Sequence, residues 1–291
     1  MRVLVTGLSG QDGSYLAEAL TARGDEVLSP GDTDLARPGA GSALVRELEP
    51  ELIFNLAALS SVYRSWQEPV LTAQLNGLLV AELLDAARDL GARFVQASSA
   101  EIFGAPSVAP QDESTPIRPT SPYGAAKAYA HSLVHAYRSA GLEASSVILY
   151  NHESPRRPET FVTRKITAAA ARIAAGRQDA LTLGNLDARR DWGWAPDYVR
   201  AMMLAAGVPG DYVIATGESH SISDFAACAF KRVGIDDWRS YVQTDDDLLR
   251  PGDAPDLRGD AALARRVLGW APTMGFEEIV HAMVDADVAA L

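Results

Sequence analysis

Tyr123 and Lys127, in the run Ser121-Pro122-Tyr123-Gly124-Ala125-Ala126-Lys127, stand four residues apart. On a helix they share one face. An ammonium beside a phenol favours the phenolate and lowers its pKa from about 10, so Tyr123 is expected to serve as a base near neutral pH. Upstream, an apolar run ends Gln96-Ala97-Ser98-Ser99-Ala100-Glu101. Ser99 can hydrogen-bond the same substrate oxygen as Tyr123. Glu101, read as two residues further along an extended segment, falls on the side of Ser99 and offers a second acid–base group. Of 26 cationic residues three are lysines, Lys127, Lys165 and Lys231. In a chain that otherwise uses arginine, a lysine suggests a need for a compact ammonium.

Such a group needs an oxidant beside it, and the first residues suggest where one binds. The strand-like run Arg2-Val3-Leu4-Val5-Thr6 leads into Gly7-Leu8-Ser9-Gly10-Gln11-Asp12-Gly13, and a helix-like run follows. Glycines at a strand-to-helix turn let backbone amides approach a pyrophosphate, and the helix N-terminus stabilises its charge. The spacing is G-x-x-G-x-x-G. Gly7, Gly10, Gln11 and Asp12 are the expected cofactor contacts here. Asp34 and Leu35 are expected near the adenine, and Leu56, Ala57 and Ala58 follow the third strand-like run. The second strand-like run ends Val27-Leu28-Ser29-Pro30-Gly31-Asp32-Thr33-Asp34, with no arginine placed for a 2′-phosphate and no acid at the strand tip. NAD against NADP stays open.

Three further segments gather charge. Asn151-His152-Glu153-Ser154-Pro155-Arg156-Arg157-Pro158-Glu159-Thr160-Phe161-Val162-Thr163-Arg164-Lys165 opens just after an apolar run and holds four cations. Leu183-Gly184-Asn185-Leu186-Asp187-Ala188-Arg189-Arg190-Asp191-Trp192 and Arg250-Pro251-Gly252-Asp253 add more. Cations converging from separate segments suit a diphosphate, and Asp253 could accept from ribose hydroxyls.

The elements that must position these groups alternate. Strands are expected at residues 2–6, 26–29, 52–56, 93–98 and 143–150, and helices at 13–23, 41–48, 67–90 and 122–140. This pattern predicts an α/β protein with a Rossmann-type, doubly wound parallel sheet. Residues 1–150 form its dinucleotide-binding domain, with a returning segment near 196–216. Residues 151–291 form mainly a smaller, mixed α/β substrate domain, with strands at 180–183 and 211–215 and helices at 161–175, 196–206, 221–233 and 275–288. The net charge of -12 argues against nucleic acid and anionic membranes as partners. No eighteen-residue apolar run or signal-peptide pattern is read, and the single cysteine, Cys228, excludes an internal disulfide. A cytoplasmic enzyme without a metal site is expected.

The glycine turn, Asn55-Leu56-Ala57-Ala58, Asn76, Ser99, Tyr123 and Lys127 together resemble the extended short-chain dehydrogenase/reductase family. Within it, Gly10–Leu16, Asn151–Lys165, Leu183–Trp192, Tyr212–Glu218 and Leu268-Gly269-Trp270 resemble the GDP-mannose 4,6-dehydratase family, over nearly the whole chain. The resemblance implies an NADP or NAD cofactor, a nucleotide-sugar substrate and catalysis by Ser99, Glu101, Tyr123 and Lys127. It also implies that Asn151, Arg190 and Arg250 hold the GDP. Lys165 and Asn185 would line the nucleotide pocket, with Glu153, Arg157, Val162, Gly184 and Asp253 among the substrate contacts. Residues 29–34 are shorter than in typical members and lack the family's arginines. The run Ser60–Trp66 is more like that of the GDP-4-keto-6-deoxymannose reductases. That reductase activity, another sugar-nucleotide epimerase, or a sensor without catalysis are the alternatives. The helices at 67–90 and 122–140 would pair across a homodimer.

Overall fold

The computed structural model describes residues 1–248, 252 and 254–291; Arg250 and Asp253 lie outside the described residues. In chain order the strands used below are β1 (Arg2–Thr6), β2 (Glu26–Leu28), β3 (Leu52–Asn55), β4 (Arg93–Ser99), β5 (Ala144–Leu149), β6 (Asn151–Glu153), β7 (Leu181–Leu183), β8 (Arg189–Arg190), β9 (Trp192–Trp194) and β10 (Asp211–Ile214). The helices are α1 (Gln11–Ala22), α2 (Ala40–Leu48), α3 (Val62–Gln67), α4 (Pro69–Ala73), α5 (Leu79–Leu90), α6 (Pro122–Ser139), α7 (Val162–Ala174), α8 (Ala195–Ala205), α9 (Ile222–Arg232), α10 (Ala262–Leu268) and α11 (Phe276–Ala289).

Six strands form one parallel sheet in the order β10-β5-β4-β3-β1-β2. This is the doubly wound α/β fold. Val3, Leu4 and Val5 are fully buried, as a strand covered on both faces requires. Alternate residues serve opposite faces. Leu4, Ile53 and Phe94 lie in register and pack with Leu44, Leu79, Leu83 and Val134 of α2, α5 and α6. Val3, Val5, Phe54 and Val95 pack on the other side with Leu16, Met202 and Leu268 of α1, α8 and α10. A third core joins Ile166, Phe225, Phe230, Val280 and Met283 of α7, α9 and α11 with Leu181 and Trp192.

The helix expected over 67–90 is instead α3, a break at Glu68-Pro69, then α4, a π turn (Gln74–Leu78) and α5. Pro69 cannot donate to the preceding turn, and Ser61 caps α3 by accepting from the Arg64 amide. Pro69–Leu90 is long and apolar enough to cross a membrane, but half of that window is buried inside the protein. All six strands of the main sheet point the same way. Their carboxyl ends therefore bring Gly7, Asn55–Ala58, Ser99–Glu101 and Tyr150–Asn151 to one edge, where ligands of such sheets bind.

Candidate active site

At that edge the backbone itself makes a cradle. Gly7 has φ +71°, and a side chain there would meet the backbone of Leu56 and Ala57 at 2.9 Å. A side chain on Gly13 would collide with the Gly7 carbonyl. Gly10 caps α1 without any side-chain hydrogen bond, leaving first-turn amides free for an anion. The Leu56 and Ala57 amides both donate to Thr6 Oγ1 at 3.1 Å, and Thr6 donates in turn to Asn55. Asn76, in the π turn, bonds both the amide and the carbonyl of Leu59. The turn and the 55–59 loop are thus fixed against each other, and these residues fit a dinucleotide diphosphate. Gly13→Ala is expected to cost about 1–3 kcal/mol, the range for overpacking a closed site, and to weaken cofactor binding. Thermal melting and cofactor titration check both.

The four residues expected to react do come together. Ser99 and Tyr123 share a side-chain hydrogen bond, and Glu101 and Arg157 lie within electrostatic reach of the phenol. Lys127, 4% exposed, donates to the Ala97 carbonyl at 2.7 Å, and its Nζ is 5.9 Å from the Tyr123 ring centre. Helix α6 is capped twice. Its own Ser121 accepts from the Gly124 amide at 3.0 Å, and the fully buried Ser65 of α3 accepts from the Tyr123 amide at 3.2 Å. Pro122, at the first helical position, has no amide to satisfy.

Two expectations need correction. Glu101 is not on an extended segment: β4 ends at Ser99, and Ala100–Phe103 form a 3₁₀ turn whose Glu101 amide donates to Ser99 Oγ at 3.3 Å. Ser99 is a cap as well as a hydroxyl facing Tyr123, and the turn rather than strand alternation brings Glu101 near. Nor is Tyr123 acidified in the protein alone. Burial pushes its pKa up to about 12, with the Ser99 hydrogen bond opposing and Glu101 adding to the rise. Burial pushes Lys127 down to about 8, with Asp12 opposing. Desolvation disfavours both charged forms and is the largest cause of both shifts.

Beside this group a clasp joins the glycine turn to β6. Gln11 donates to the His152 carbonyl at 3.1 Å and accepts from Ser154 Oγ at 2.9 Å. Asp12 meets His152 Nε2 at 2.9 Å, and His152 Nδ1 meets the Tyr150 carbonyl at 2.7 Å. The imidazole stacks on Tyr198, ring centres 4.5 Å apart.

The residues assigned to the substrate lie on β6 and in the chain beyond it. Asn151 opens β6, which pairs with β9. Glu153 is 1% exposed and accepts from Thr163 Oγ1 at 2.6 Å; burial holds its carboxyl above the usual range, opposed by Arg157. Arg157 Nε is 3.5 Å from Glu153, and its guanidinium covers Phe161 at 3.7 Å. Val162 begins α7. Lys165 donates to the Thr182 carbonyl at 2.7 Å and lines a cleft of about 610 Å³ with Thr160, Gln178 and Thr182. Gly184 packs against the Leu248 backbone, with no room for a side chain. Asn185 is exposed, its Oδ1 accepting from the Asp187 amide. Arg190 is buried and donates to the Ala254 carbonyl at 2.9 Å. The four cations of 151–165 do not converge. Arg156 turns to Glu18 and covers Tyr15 of α1, and Arg164 pairs with Asp287 of α11. Asp34 is exposed after β2, its carboxylate accepting from the Ala36 amide, and Leu35 packs against the core under α2.

Sequence reasoning gave no role to Ser65, Thr6 or His152. Each acts through a partner at least 40 positions away, and no local spacing reveals such a bond. Among the described residues no group of three or more His, Cys, Asp or Glu could hold a metal.

Comparison with known proteins extends this site to a whole chain. The sequence profile described as GDP-mannose 4,6 dehydratase matches residues 31–283. GDP-mannose 4,6 dehydratase 2 of Arabidopsis thaliana is 42% identical over 98% of this chain and 86% of its own length. Among solved structures, the UDP-glucose 4-epimerase of Thermus thermophilus in complex with NAD superposes with a TM-score of 0.85 at 30% identity, covering 100% of both chains. RMD from Pseudomonas aeruginosa complexed with NADPH has the same fold, at a TM-score of 0.88 and 24% identity over 100% of this chain and 99% of that one. A continuous match across both the catalytic group and the segments beyond β6 is what common descent leaves, and this chain belongs to the GDP-mannose 4,6-dehydratase family.

Proposed function

We propose that this chain catalyses the 4,6-dehydration of GDP-mannose to GDP-4-keto-6-deoxymannose with a bound nicotinamide dinucleotide. The observation that carries the reading is the gathering of Ser99, Glu101, Tyr123 and Lys127 beside the glycine cradle. Gly7, Gly10, Gln11 and Asp12, with Leu56, Ala57 and Ala58, would hold the cofactor, and Asp34 and Leu35 would flank its adenosine end. A bound nicotinamide would supply the hydride acceptor for C4 of the sugar and the hydride donor for C6.

The protein's own groups handle the protons. Tyr123 takes the proton of the 4-hydroxyl while Ser99 hydrogen-bonds the same oxygen, and Lys127 favours the phenolate. The ketone formed at C4 acidifies C5. Glu101 removes the C5 proton and then protonates the departing 6-hydroxyl, which leaves as water; once C6 is reduced, C5 takes a proton from solvent and Tyr123 gives up the one it took, which closes the proton count. Asn151, Arg157, Lys165, Asn185 and Arg190 would hold the nucleotide and its diphosphate, with Arg250 and Asp253 assigned to the same task by resemblance alone.

Asp32 and Asp34 are exposed in the loop that follows β2. Their charges disfavour a further phosphate on the ribose, so we propose that NAD binds more tightly than NADP. Titration with each cofactor separates the two.

The pH dependence follows from the pair. With both Tyr123 and Lys127 protonated, no base is available. The more easily lost proton is that of Lys127, at about 8. Once one proton is gone the pair can take the proton of the 4-hydroxyl, whichever residue formally holds the other. Thus kcat/KM is expected to rise with pH through about 8. In Lys127→Met the rise moves upward, because Tyr123 alone sits at about 12. A pH–rate series on both proteins checks this.

Tyr63, Trp66, Val70, Leu78 and Tyr129, on α3, α4, the π turn and α6, are all at least 46% exposed. We propose that a second copy covers them in a homodimer. Sedimentation of the chain is expected to show a dimer, and Trp66→Glu with Val70→Glu to shift it to monomer.

The direct test of the activity is incubation with GDP-mannose and less than one equivalent of cofactor. Quantitative loss of one water supports the dehydratase. Stoichiometric consumption of reduced cofactor on the 4-keto sugar, with GDP-mannose untouched, would assign the chain to the reductases instead.

A further inference from the structure

We propose that His152 is a doubly protonated imidazolium whose charge cancels that of Asp12 and thereby sets the pH at which the Tyr123–Lys127 pair becomes basic. This rests on the reading of that pair as the catalytic base.

The protonation state follows from geometry. His152 Nδ1 faces the Tyr150 carbonyl at 2.7 Å and Nε2 faces the Asp12 carboxylate at 2.9 Å. A carbonyl and a carboxylate only accept, so each ring nitrogen must bring a proton. Both side chains are sheltered, 10% and 20% exposed, so an unpaired charge at either would be costly. Burial alone would lower the imidazole's pKa, but Asp12 holds it above its usual value. Burial likewise pushes Asp12 up, and His152, with smaller help from Gln11 and Arg157, reverses it and leaves the carboxyl below its usual range. The ring is also fixed sterically, on β6 with Tyr198 of α8 stacked against it.

The charge matters because of where Asp12 stands. It lies in the first turn of α1, whose amides are left for a diphosphate. It also acts electrostatically on both members of the catalytic pair, favouring the ammonium of Lys127 and opposing the phenolate of Tyr123. Both effects hold protons on the pair. The other groups facing the clasp are Arg157, which favours the Asp12 carboxylate and opposes the imidazolium, Glu153, and the ring of Tyr198; Tyr150 offers its carbonyl, while its phenol bonds Gln111. Arg157 is already engaged with Glu153, so His152 is the charged group that Asp12 bonds directly, beside the neutral Gln11 amide that donates to its other oxygen at 3.1 Å. The imidazolium therefore makes the carboxylate tolerable beside both a diphosphate and a phenolate. Asp12 in return pins β6, and with it Asn151, to the glycine turn.

The test has two arms. Ring ¹⁵N spectra of the wild-type protein, with the His152 signals identified by their loss in His152→Gln, read protonation without any turnover. Two protonated nitrogens at neutral pH support the proposal, and a neutral ring with one N–H overturns it, whatever the substrate proves to be. In the second arm, His152→Gln leaves Asp12 uncompensated, so the rising limb of kcat/KM is expected to move up by roughly one pH unit or more. Asp12→Asn in the same chain removes the offending charge and should return the limb towards its original pH. A limb unmoved in His152→Gln, or moved equally in the double variant, would reduce His152 to a structural pin and overturn the tuning role. Failure of GDP-mannose to react at all would sink the proposed activity while leaving the spectroscopic result standing.

Discussion

Tyr123→Phe is expected to lower kcat for GDP-mannose dehydration by about 10²–10⁴-fold, the range for losing a positioned acid–base group, while cofactor affinity changes little. The phenol is where the 4-hydroxyl's proton goes, and no neighbour replaces it. Ser99 has an ordinary hydroxyl engaged with the Glu101 amide, and Lys127 donates to the Ala97 carbonyl. The ring itself should stay in place, because its position comes from the α6 backbone. The Tyr123 amide bonds to Ser65, and Ser121 caps the same turn. Steady-state kinetics together with cofactor titration separate these effects. A large fall in cofactor affinity would mean that the hydroxyl holds the cofactor rather than the proton.

Glu101→Gln is expected to stop the reaction one step later, with loss of dehydration of similar size, about 10²–10⁴-fold. Oxidation at C4 uses Tyr123, Ser99 and Lys127, so it should survive. Removal of the C5 proton needs a carboxylate, which glutamine does not supply. The 4-keto sugar that still carries its 6-hydroxyl should then accumulate up to the amount of enzyme, detectable by rapid quench and mass measurement. No accumulation together with intact dehydration would mean that another group takes the C5 proton. The variant should fold, since it keeps the Glu101 amide that caps onto Ser99.

The fold was legible wherever one chain segment settles its own structure. Val3-Leu4-Val5 reads as a strand buried on both faces, and it is one. Gly7, Gly10 and Gly13 read as a tight turn, and at Gly7 and Gly13 nothing larger fits. Tyr123 and Lys127 were legible because helical spacing alone puts them on one face. What failed was decided between segments. Spacing suggested that the Lys127 charge would acidify Tyr123, but burial governs both groups, and burial is a property of the packed interior. Glu101 was placed by assuming that β4 runs on, whereas the chain turns immediately after Ser99. The cations at 156 and 164 looked like ligands of a diphosphate and instead tie α1 and α11 to the chain after β6. In an acidic protein an arginine has many carboxylates to choose among. The break at Pro69 and the π turn that places Asn76 under the 55–59 loop likewise leave no mark in apolar periodicity.

The central claim is that one active site oxidises C4, eliminates water across C5 and C6, and reduces C6 without releasing its hydride. GDP-mannose carrying deuterium at C4 tests this most directly, in ordinary water with a trace of unlabelled cofactor. The account predicts a product that has lost one water, with the deuterium now at C6 and a solvent proton at C5. Product with no deuterium at C6, or none formed unless reduced cofactor is supplied in equal amount, would contradict it.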